Sequence, residues 1–341
     1  MREIRSGTLK CAKCRSEFPI LAGVAILVDD VGGYLSAHVK GISQQVTDSE
    51  IPKEFRAEYR EAKAEIQVEH IEEDLEAERV NALYLMNHYL RTGGGAGWWK
   101  PASTPGSPLI DSLVREHWDH GPFTQIEGLL SEAARGRESF ELIELGCGVG
   151  GLYRVLKPLL KSYLGVDSSF ASVALGRHLA LGVPYKGSLR IPADLLQGSV
   201  SREVQIEPAK SFDGSADLIV ADMEHPPLQS AGWDVAVALN TIDMLEKPSR
   251  LPEVQSTLLK DGGLAVQSCP YIWHEKTSRA LRAKLPKEIT DSARAVEWLY
   301  GKAGFTLEQK LDHVPWLFFK HLRQLEIYSV HLFLARKAKA S

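Results

Sequence analysis

Short apolar runs alternate with longer segments of helical pattern from about residue 139 onward. The runs occupy residues 140–145, 163–166, 216–221, 233–239 and 263–268. Apolar strands separated by helices predict a parallel sheet with helices on both faces, which is an α/β, doubly wound fold. Two further runs, 305–308 and 330–335, predict a closing pair of strands. Residues 183–215 break this alternation, and we interpret them as an insertion.

The pattern before residue 139 is different. A Cys-x-x-Cys pair followed by the β-rich run 24–28 predicts a metal knuckle and a strand. Residues 33–50 are rich in Gly, Ser and Gln and predict a linker, whereas the polar segment 52–91 predicts a helix with an acidic, solvated face. Prolines and glycines predict a loop over 98–108, and a helical pattern follows over about 109–135. The predicted units are therefore a ribbon-like piece (1–32), a linker with a helical lead-in or lid (33–135) and an α/β domain (136–341).

Composition narrows the class of protein. The chain has 341 residues, of which 44% are hydrophobic and 25% charged, so it is neither a disordered chain nor a collagen or coiled coil. A formal net charge of −4 argues against a nucleic-acid binder. The longest apolar run, 18–28, is shorter than the ~20 residues that cross a bilayer. Four cysteines fit a reducing compartment, and we expect a cytoplasmic enzyme without a membrane partner.

A glycine loop joins the first strand to a helix and marks a ligand site. Glu144-Leu-Gly-Cys-Gly-Val-Gly-Gly151 has glycines that permit a tight turn and close backbone approach to a ligand. It satisfies a dinucleotide fingerprint, with Asp167 where a ribose-binding acid is expected. Glu144 favours a cofactor with an amino group, because a carboxylate there would repel a pyrophosphate. Asp222, at the end of the third strand, can accept a hydrogen bond from an adenine amino group.

These residues, with a Lys-Asp-Gly-Gly turn before the fifth strand, resemble class I, seven-stranded S-adenosylmethionine-dependent methyltransferases. The resemblance covers about 139–337 and implies a Rossmann-like sheet with an antiparallel last strand. It also implies S-adenosylmethionine as cofactor, against the alternatives of a nicotinamide enzyme or a non-catalytic relic. The cofactor-binding residues that it implies are Glu144, Gly146, Cys147, Gly148, Gly150, Asp167, Ser168, Asp222, Met223 and Asn240.

Asn240-Thr-Ile-Asp243 follows the fourth strand, beside the expected position of a transferable methyl group. One helical turn brings positions three apart to one side. An imidazole fits this pair of side chains, because Asp243 can accept the ring N–H and leave the other nitrogen as the nucleophile. The carboxylate also stabilises the imidazolium that methylation creates. Strand-end or helix-cap chemistry is the alternative role of Asn240 and Asp243.

The segments 239–248 and 268–273 resemble the C-terminal methyltransferase domain of ovothiol synthases, with its N-x-I-D-x-L-x-x-P and S-P-Y-x-W motifs, and other histidine N-methyltransferases. The likeness implies that Asn240 and Asp243 are catalytic and hold an imidazole of a small molecule or peptide. It further implies that the substrate is enclosed by Tyr271, Trp273, Trp316 and His321. Two alternatives remain: an O-, S- or carboxyl-methyltransferase of natural-product biosynthesis, and a non-catalytic partner protein.

Cys11 and Cys14 resemble the second half of a zinc ribbon of the Trm112 type. A complete ribbon needs four ligands, and the other cysteines, Cys147 and Cys269, lie in the α/β domain. We therefore expect no complete metal site within one chain. The pair is either a metal-free remnant or half of a site shared in a homodimer.

Overall fold

A computed structural model of the chain describes residues 4–69, 81, 83–85, 87–89, 108–133, 139–192, 199–207, 216–321 and 324–339. The described strands are β1 (Gly7–Lys10), β2 (Glu17–Leu21), β3 (Val24–Leu27), β4 (Phe140–Leu145), β5 (Leu160–Asp167), β6 (Tyr185–Pro192), β7 (Ser199–Ile206), β8 (Ala216–Ala221), β9 (Trp233–Leu239), β10 (Leu259–Cys269), β11 (Phe305–His321) and β12 (Gln324–Lys337).

The described α-helices are α1 (Val31–Ala37), α2 (Val39–Ser43), α3 (Arg56–Glu69), α4 (Pro108–His120), α5 (Pro122–Ala133), α6 (Gly151–Leu156), α7 (Phe170–Ala180), α8 (Arg250–Leu258), α9 (Glu275–Arg282) and α10 (Ser292–Lys302). Residues 81, 83–85 and 87–89 are also helical. No helix among the described residues is both long and apolar enough to cross a membrane.

The main sheet has the strand order β1-β2-β3-β8-β5-β4-β9-β10-β12-β11. Strands β3, β8, β5, β4, β9 and β10 are parallel neighbours, and β12 is antiparallel to β10. Alternate side chains enter two apolar clusters on opposite faces: Leu142 and Val235 on one, Ile143 and Ala236 on the other. This two-sided burial explains the continuous apolar runs and confirms the predicted Rossmann-like fold.

The N-terminal segment extends this sheet beyond the seven predicted strands. Strand β3 pairs in parallel with β8 (Ile26 opposite Val220), and β2 and β1 follow as an antiparallel hairpin. The prediction of a linker over 33–50 is wrong, because α1 and α2 occupy most of it. Leu35, Val39 and Ile42 recur at helical spacing and are buried in the main core.

Other boundaries differ more modestly from those predicted. The closing strands β11 and β12 form a long hairpin, and the 183–215 segment contains the separate hairpin β6–β7, with 193–198 and 208–215 outside the described residues. The helical stretch predicted over 109–135 is two helices, α4 and α5, separated at Gly121. Most of the acidic stretch before residue 81, and most of the loop predicted over 98–108, lie outside the described residues.

The pairing of β3 with β8 predicts that the N-terminal segment unfolds together with the main domain. Ile26 is fully buried between them, so Ile26→Ala should lower the free energy of unfolding by about 2–5 kcal/mol. The control Leu9→Ala, on the exposed face of β1, should change it by about 0.5 kcal/mol or less. Urea unfolding followed by fluorescence and circular dichroism measures both. A separate early transition in the Ile26 variant, with the main transition unchanged, would contradict the shared core.

Candidate active site

The loop between β4 and α6 is shaped by glycines in the left-handed region. Gly146 has φ +76° and Gly148 has φ +52°. A Cβ atom on Gly146 would lie 2.5 Å from Cγ2 of Thr241 and 3.3 Å from Cε of Met223. The loop therefore approaches the end of β9 so closely that a side chain at position 146 does not fit.

A cavity of about 1170 Å³ opens at the carboxyl ends of the parallel strands, beside this loop. Ligands of open α/β sheets bind at this edge. Of the ten predicted cofactor-binding residues, nine line the cavity: Glu144, Gly146, Cys147, Gly148, Asp167, Ser168, Asp222, Met223 and Asn240. Gly150 is not in the lining. It is buried and lies immediately before α6, where its φ of +68° ends the glycine loop.

Glu144 is a buried carboxyl group in the cavity wall. Its Oε2 accepts a hydrogen bond of 2.5 Å from the hydroxyl of Tyr163. Burial raises the pKa of Glu144 to about 8, although the Tyr163 hydrogen bond acts in the opposite direction. Glu144 is therefore mostly protonated at neutral pH until a cation approaches it.

Asp167, at the end of β5, links the glycine loop to the turn before α7. Its Oδ2 accepts from Gly148 N at 2.8 Å and its Oδ1 from Ser169 N at 2.8 Å. Burial raises the pKa of Asp167, and these backbone donors oppose the rise. The carbonyl of Ser168 accepts a 2.7 Å hydrogen bond from the Tyr34 hydroxyl, which brings helix α1 over this part of the cavity.

Asp222, which follows β8, is more exposed than the other acids. Its Oδ1 accepts from Glu224 N at 2.8 Å, and its Oδ2 lies 3.0 Å from Nδ1 of His225. Both contacts organise the turn that presents Met223 to the cavity.

Asn240 and Asp243 both line the same cavity. Asn240 has φ +54°, a conformation that asparagine tolerates better than most residues, and its Oδ1 accepts from Ser268 Oγ at 3.0 Å. Asp243 is 4% exposed, and its Oδ2 accepts from Ile272 N at 2.6 Å. The two side chains are thus held by the loop and strand beside them, and neither caps a helix.

The predicted substrate contacts fall into two groups. Trp316 lines the cavity, but Tyr271 and Trp273 do not. Their rings stack on each other at 5.8 Å, and Trp273 Nε1 donates to Ser292 Oγ at 3.0 Å, away from the cavity. Their neighbours Ile272 and His274 face the cavity instead. His321 ends β11, and its side chain lies outside what the structure describes.

An aromatic wall completes the cavity, and Trp316 is the one member of it that was among the predicted substrate contacts. Its members come from three separate parts of the chain: Tyr84, His88, Phe123, Trp316, Phe318 and Tyr328. Phe123 meets Trp316 edge-on at 5.7 Å and His88 at 5.4 Å. Burial, and then the charge of His117, lower the pKa of His88 to about 4, so this ring is neutral at physiological pH. Helix periodicity at Tyr84 and His88, and strand alternation at Trp316 and Phe318, could have indicated that these residues share a face, but not that they meet.

The cysteines form no cluster of three or more metal-binding side chains among the described residues. Cys14 is exposed, and hydrogen bonds to Ser16 lower its pKa to about 7. Cys147 and Cys269 are buried, and burial raises the pKa of both thiols. The two cysteines beside the cavity are therefore protonated packing groups.

The sequence profile of the methyltransferase domain family matches residues 118–310. The chain belongs to this family. It is a methyltransferase of the class I fold, and its cofactor is S-adenosylmethionine. No curated protein matches the chain.

Solved structures of other methyltransferases are similar to the chain at low sequence identity. Magnesium protoporphyrin IX methyltransferase from Synechocystis PCC 6803, with bound SAH, is 13% identical over 69% of this chain and 90% of that one, with a TM-score of 0.42. A complex of the Haloferax volcanii Trm112 methyltransferase activator with a methyltransferase is 14% identical over 68% and 97%, with a TM-score of 0.41. A methyltransferase from Methanosarcina mazei is 16% identical over 60% and 95%, with a TM-score of 0.40.

The lining of the cavity fits the cofactor. No atom lies within 4 Å of a Cβ built on Gly148, so there is open space against the loop at that position, and the carboxyl groups of the lining can accept hydrogen bonds from an ammonium and from hydroxyls. We expect Glu144 to bind the amino group, Asp167 the ribose and Asp222 the adenine. The cofactor supplies a methyl group on a positively charged sulfur, and the acidic lining suits that charge.

Gly146→Ala should weaken cofactor binding, because the added methyl group meets Thr241 and the backbone favours glycine. We expect the Kd for S-adenosylmethionine to rise at least about tenfold. Gly301→Ala in helix α10, where no atom lies within 4 Å of the added Cβ, is the matched control and should stabilise the protein by about 1 kcal/mol. Calorimetric titration measures the Kd; equal affinities in the two variants would contradict the role of the loop.

The raised pKa of Glu144 predicts that cofactor binding depends on pH. Below a pKa of about 8 the carboxyl is protonated, and an ammonium partner favours the carboxylate, so binding should release close to one proton at pH 7. Affinity should therefore rise between about pH 6 and 7.5, before the amino group of the cofactor begins to lose its own proton. Calorimetry in buffers of different ionisation enthalpy measures the proton release. Glu144→Gln should abolish it, and an unchanged release in that variant would exclude Glu144 as its source.

Proposed function

We propose that this methyltransferase transfers a methyl group to an imidazole nitrogen of histidine, a histidine derivative or a histidine-containing peptide. The observation that carries the proposal is the position of Asp243: a buried carboxyl group that lines the same cavity as the glycine loop and is held there by Ile272 N–H. A neutral imidazole has one N–H and one bare nitrogen, so a single carboxylate suffices to fix its tautomer.

Asp243 and Asn240 take different roles in this proposal. Asp243 accepts the ring N–H and directs the bare nitrogen towards the methyl group. As that nitrogen forms its new bond the ring becomes a cation, and the negative charge of Asp243 stabilises it. Asn240 uses its oxygen on Ser268, so it offers N–H donors. A donor on the bare nitrogen would block the reaction, and we therefore assign Asn240 to an oxygen of the acceptor or the cofactor.

The remaining lining supports a flat acceptor that becomes positively charged. The aromatic wall can stack on a planar ring, and aromatic faces attract a cation. Asp167, Asp222 and Asp243 make the lining acidic, which favours a cationic product and disfavours a carboxylate acceptor.

A small-molecule O- or S-methyltransferase is the second candidate, because the aromatic wall also suits a phenol or an aromatic thiol. Such an acceptor needs a base for its O–H or S–H proton. His88 is a poor base with a pKa of about 4. His274 also lines the cavity, so the second candidate gains support from the shape of the cavity and from one further imidazole in its lining.

The N-terminal segment lies beside the proposed cofactor-binding residues. Strand β3 pairs with β8, and Tyr34 binds the carbonyl of Ser168, so we propose that residues 4–43 support the cavity. A likeness to Trm112 and a metal shared between two copies through Cys11 and Cys14 stay predictions. Metal analysis of the purified protein, with its mass in solution, addresses them.

The proposed acceptor is tested with methyl-labelled S-adenosylmethionine and a panel of acceptors. Histidine, N-acetylhistidine, histidine amide and a histidine-containing peptide represent imidazoles, whereas a catechol, an aromatic thiol and an aromatic carboxylate represent the alternatives. Mass spectrometry and NMR identify the methylated atom. Methylation confined to oxygen, sulfur or carboxylate acceptors would refute the imidazole proposal.

Asp243→Asn should lower kcat/KM for the imidazole acceptor by about a hundredfold or more, because an amide neither fixes the tautomer as firmly nor neutralises the imidazolium. The Kd of the cofactor should change less than about threefold. Asp261→Asn is the matched control. Asp261 is an exposed residue near the start of β10, and this variant should keep wild-type kinetics. Initial rates with labelled cofactor measure the effect, and wild-type turnover in the Asp243 variant would rule out its proposed role.

A further inference from the structure

The loop after β10 passes directly over Asp243. Residues 270–274 connect β10 to helix α9, and Pro270 and Ile272 line the cavity. The backbone N–H of Ile272 donates to Oδ2 of Asp243 at 2.6 Å. A charge-assisted hydrogen bond of this kind orients the carboxyl group, so the position of Ile272 determines where Asp243 points.

Tyr271, one residue earlier, holds this loop in an unusual conformation. Its φ of +63° is a left-handed value that a bulky side chain seldom adopts. Such a conformation persists when the surroundings fix it. The Tyr271 N–H donates to Sγ of Cys269 at 3.2 Å, and its hydroxyl lies 2.7 Å from Nδ1 of His331. The side chain therefore points away from the cavity and is anchored behind it.

His331 in β12 is 3% exposed and is itself fixed by a charged partner. Its Nε2 lies 3.5 Å from Oε1 of Glu297 in α10, and Lys310 pairs with the same carboxylate at 3.0 Å. Burial lowers the pKa of His331, while the charges of Glu297, Asp312 and Asp291 raise it and Lys310 lowers it. A neutral ring that donates from Nε2 towards Glu297 presents Nδ1 as the acceptor of the Tyr271 hydroxyl.

We propose that Tyr271 and His331 are positioning residues of the acceptor site. Their hydrogen bond holds the strained backbone of the loop, and this backbone keeps the Ile272 N–H on Asp243. The proposal rests on the proposed role of Asp243 towards the acceptor. It assigns a role to a half-buried tyrosine and a buried histidine that do not line the cavity.

Tyr271→Phe is the direct test, because it removes the hydroxyl and keeps the ring. We expect kcat/KM for the acceptor to fall about tenfold, which is the effect of one lost hydrogen bond, with a cofactor Kd within twofold of wild type. In the Asp243→Asn background, Tyr271→Phe should lower kcat/KM less than twofold, because both substitutions act through the side chain at position 243. His331→Gln keeps an acceptor for the hydroxyl and should retain activity, whereas His331→Leu should match Tyr271→Phe.

Hydrogen exchange of the Ile272 amide, followed by NMR on the full chain, tests the positioning without any acceptor. The amide should exchange at least about tenfold faster in Tyr271→Phe. Tyr300→Phe is the matched control, since Tyr300 is fully buried in the same apolar cluster but its hydroxyl binds Gln255 and Gln267. It should leave both the Ile272 exchange and kcat/KM within twofold of wild type.

The outcomes separate this proposal from the proposed function. Unchanged Ile272 exchange in Tyr271→Phe overturns the positioning role, whether or not imidazoles are methylated. Equal losses in Tyr271→Phe and Tyr300→Phe also overturn it, because they indicate general destabilisation. Faster exchange in Tyr271→Phe alone supports it, and an acceptor panel without methylated imidazoles then refutes only the proposed acceptor.

Discussion

The burial of carboxyl groups at the carboxyl edge of the sheet is the constraint on which the site depends. Glu144 and Asp243 are each 4% exposed, and an isolated buried charge is strongly unfavourable. The protein solves this in two ways. Glu144 is kept protonated beside Tyr163, whereas Asp243 receives a backbone N–H from Ile272. Each group can therefore meet a positively charged partner without a hydration shell that must first be removed.

The pairing of strands in the main sheet also explains how the N-terminal segment, residues 4–43, reaches the cavity at the carboxyl edge of the sheet. Parallel pairing of β3 with β8 places helices α1 and α2 beyond the carboxyl end of β8, next to the cofactor residues. Tyr34 then reaches Ser168, and Gly41 packs against Ala171, with only 3.1 Å between the methyl group of Ala171 and a Cβ built on Gly41. The helices that follow the cysteine pair and strand β3 therefore cover part of the cavity.

Features that depend on residues close in sequence could be predicted from the chain. The apolar runs predicted β4, β8 and β9 because strands buried on both faces must be apolar, and the glycine loop predicted the ligand edge. The side to which Tyr271 and Ile272 point could not be predicted. It depends on the positive φ of Tyr271, which is maintained by His331 sixty residues later. The rest of the aromatic wall around Trp316 could not be predicted for the same reason, since Tyr84, Phe123 and Phe318 meet only in the folded chain.

The family model matches only part of the chain, and this division bears on which part of the cavity could select the acceptor. The family match, residues 118–310, contains the glycine loop, Asn240, Asp243 and the loop that orients it. Tyr84, His88, Trp316, Phe318 and Tyr328 lie outside the match and supply most of the aromatic wall. The glycine loop and Asp243 therefore lie in the part of the chain that the family model matches, whereas most of the aromatic wall lies outside it, partly on strands β11 and β12 of the main sheet. The aromatic wall and Asp243 belong to different elements of the chain, and the proposed acceptor site is assembled from both.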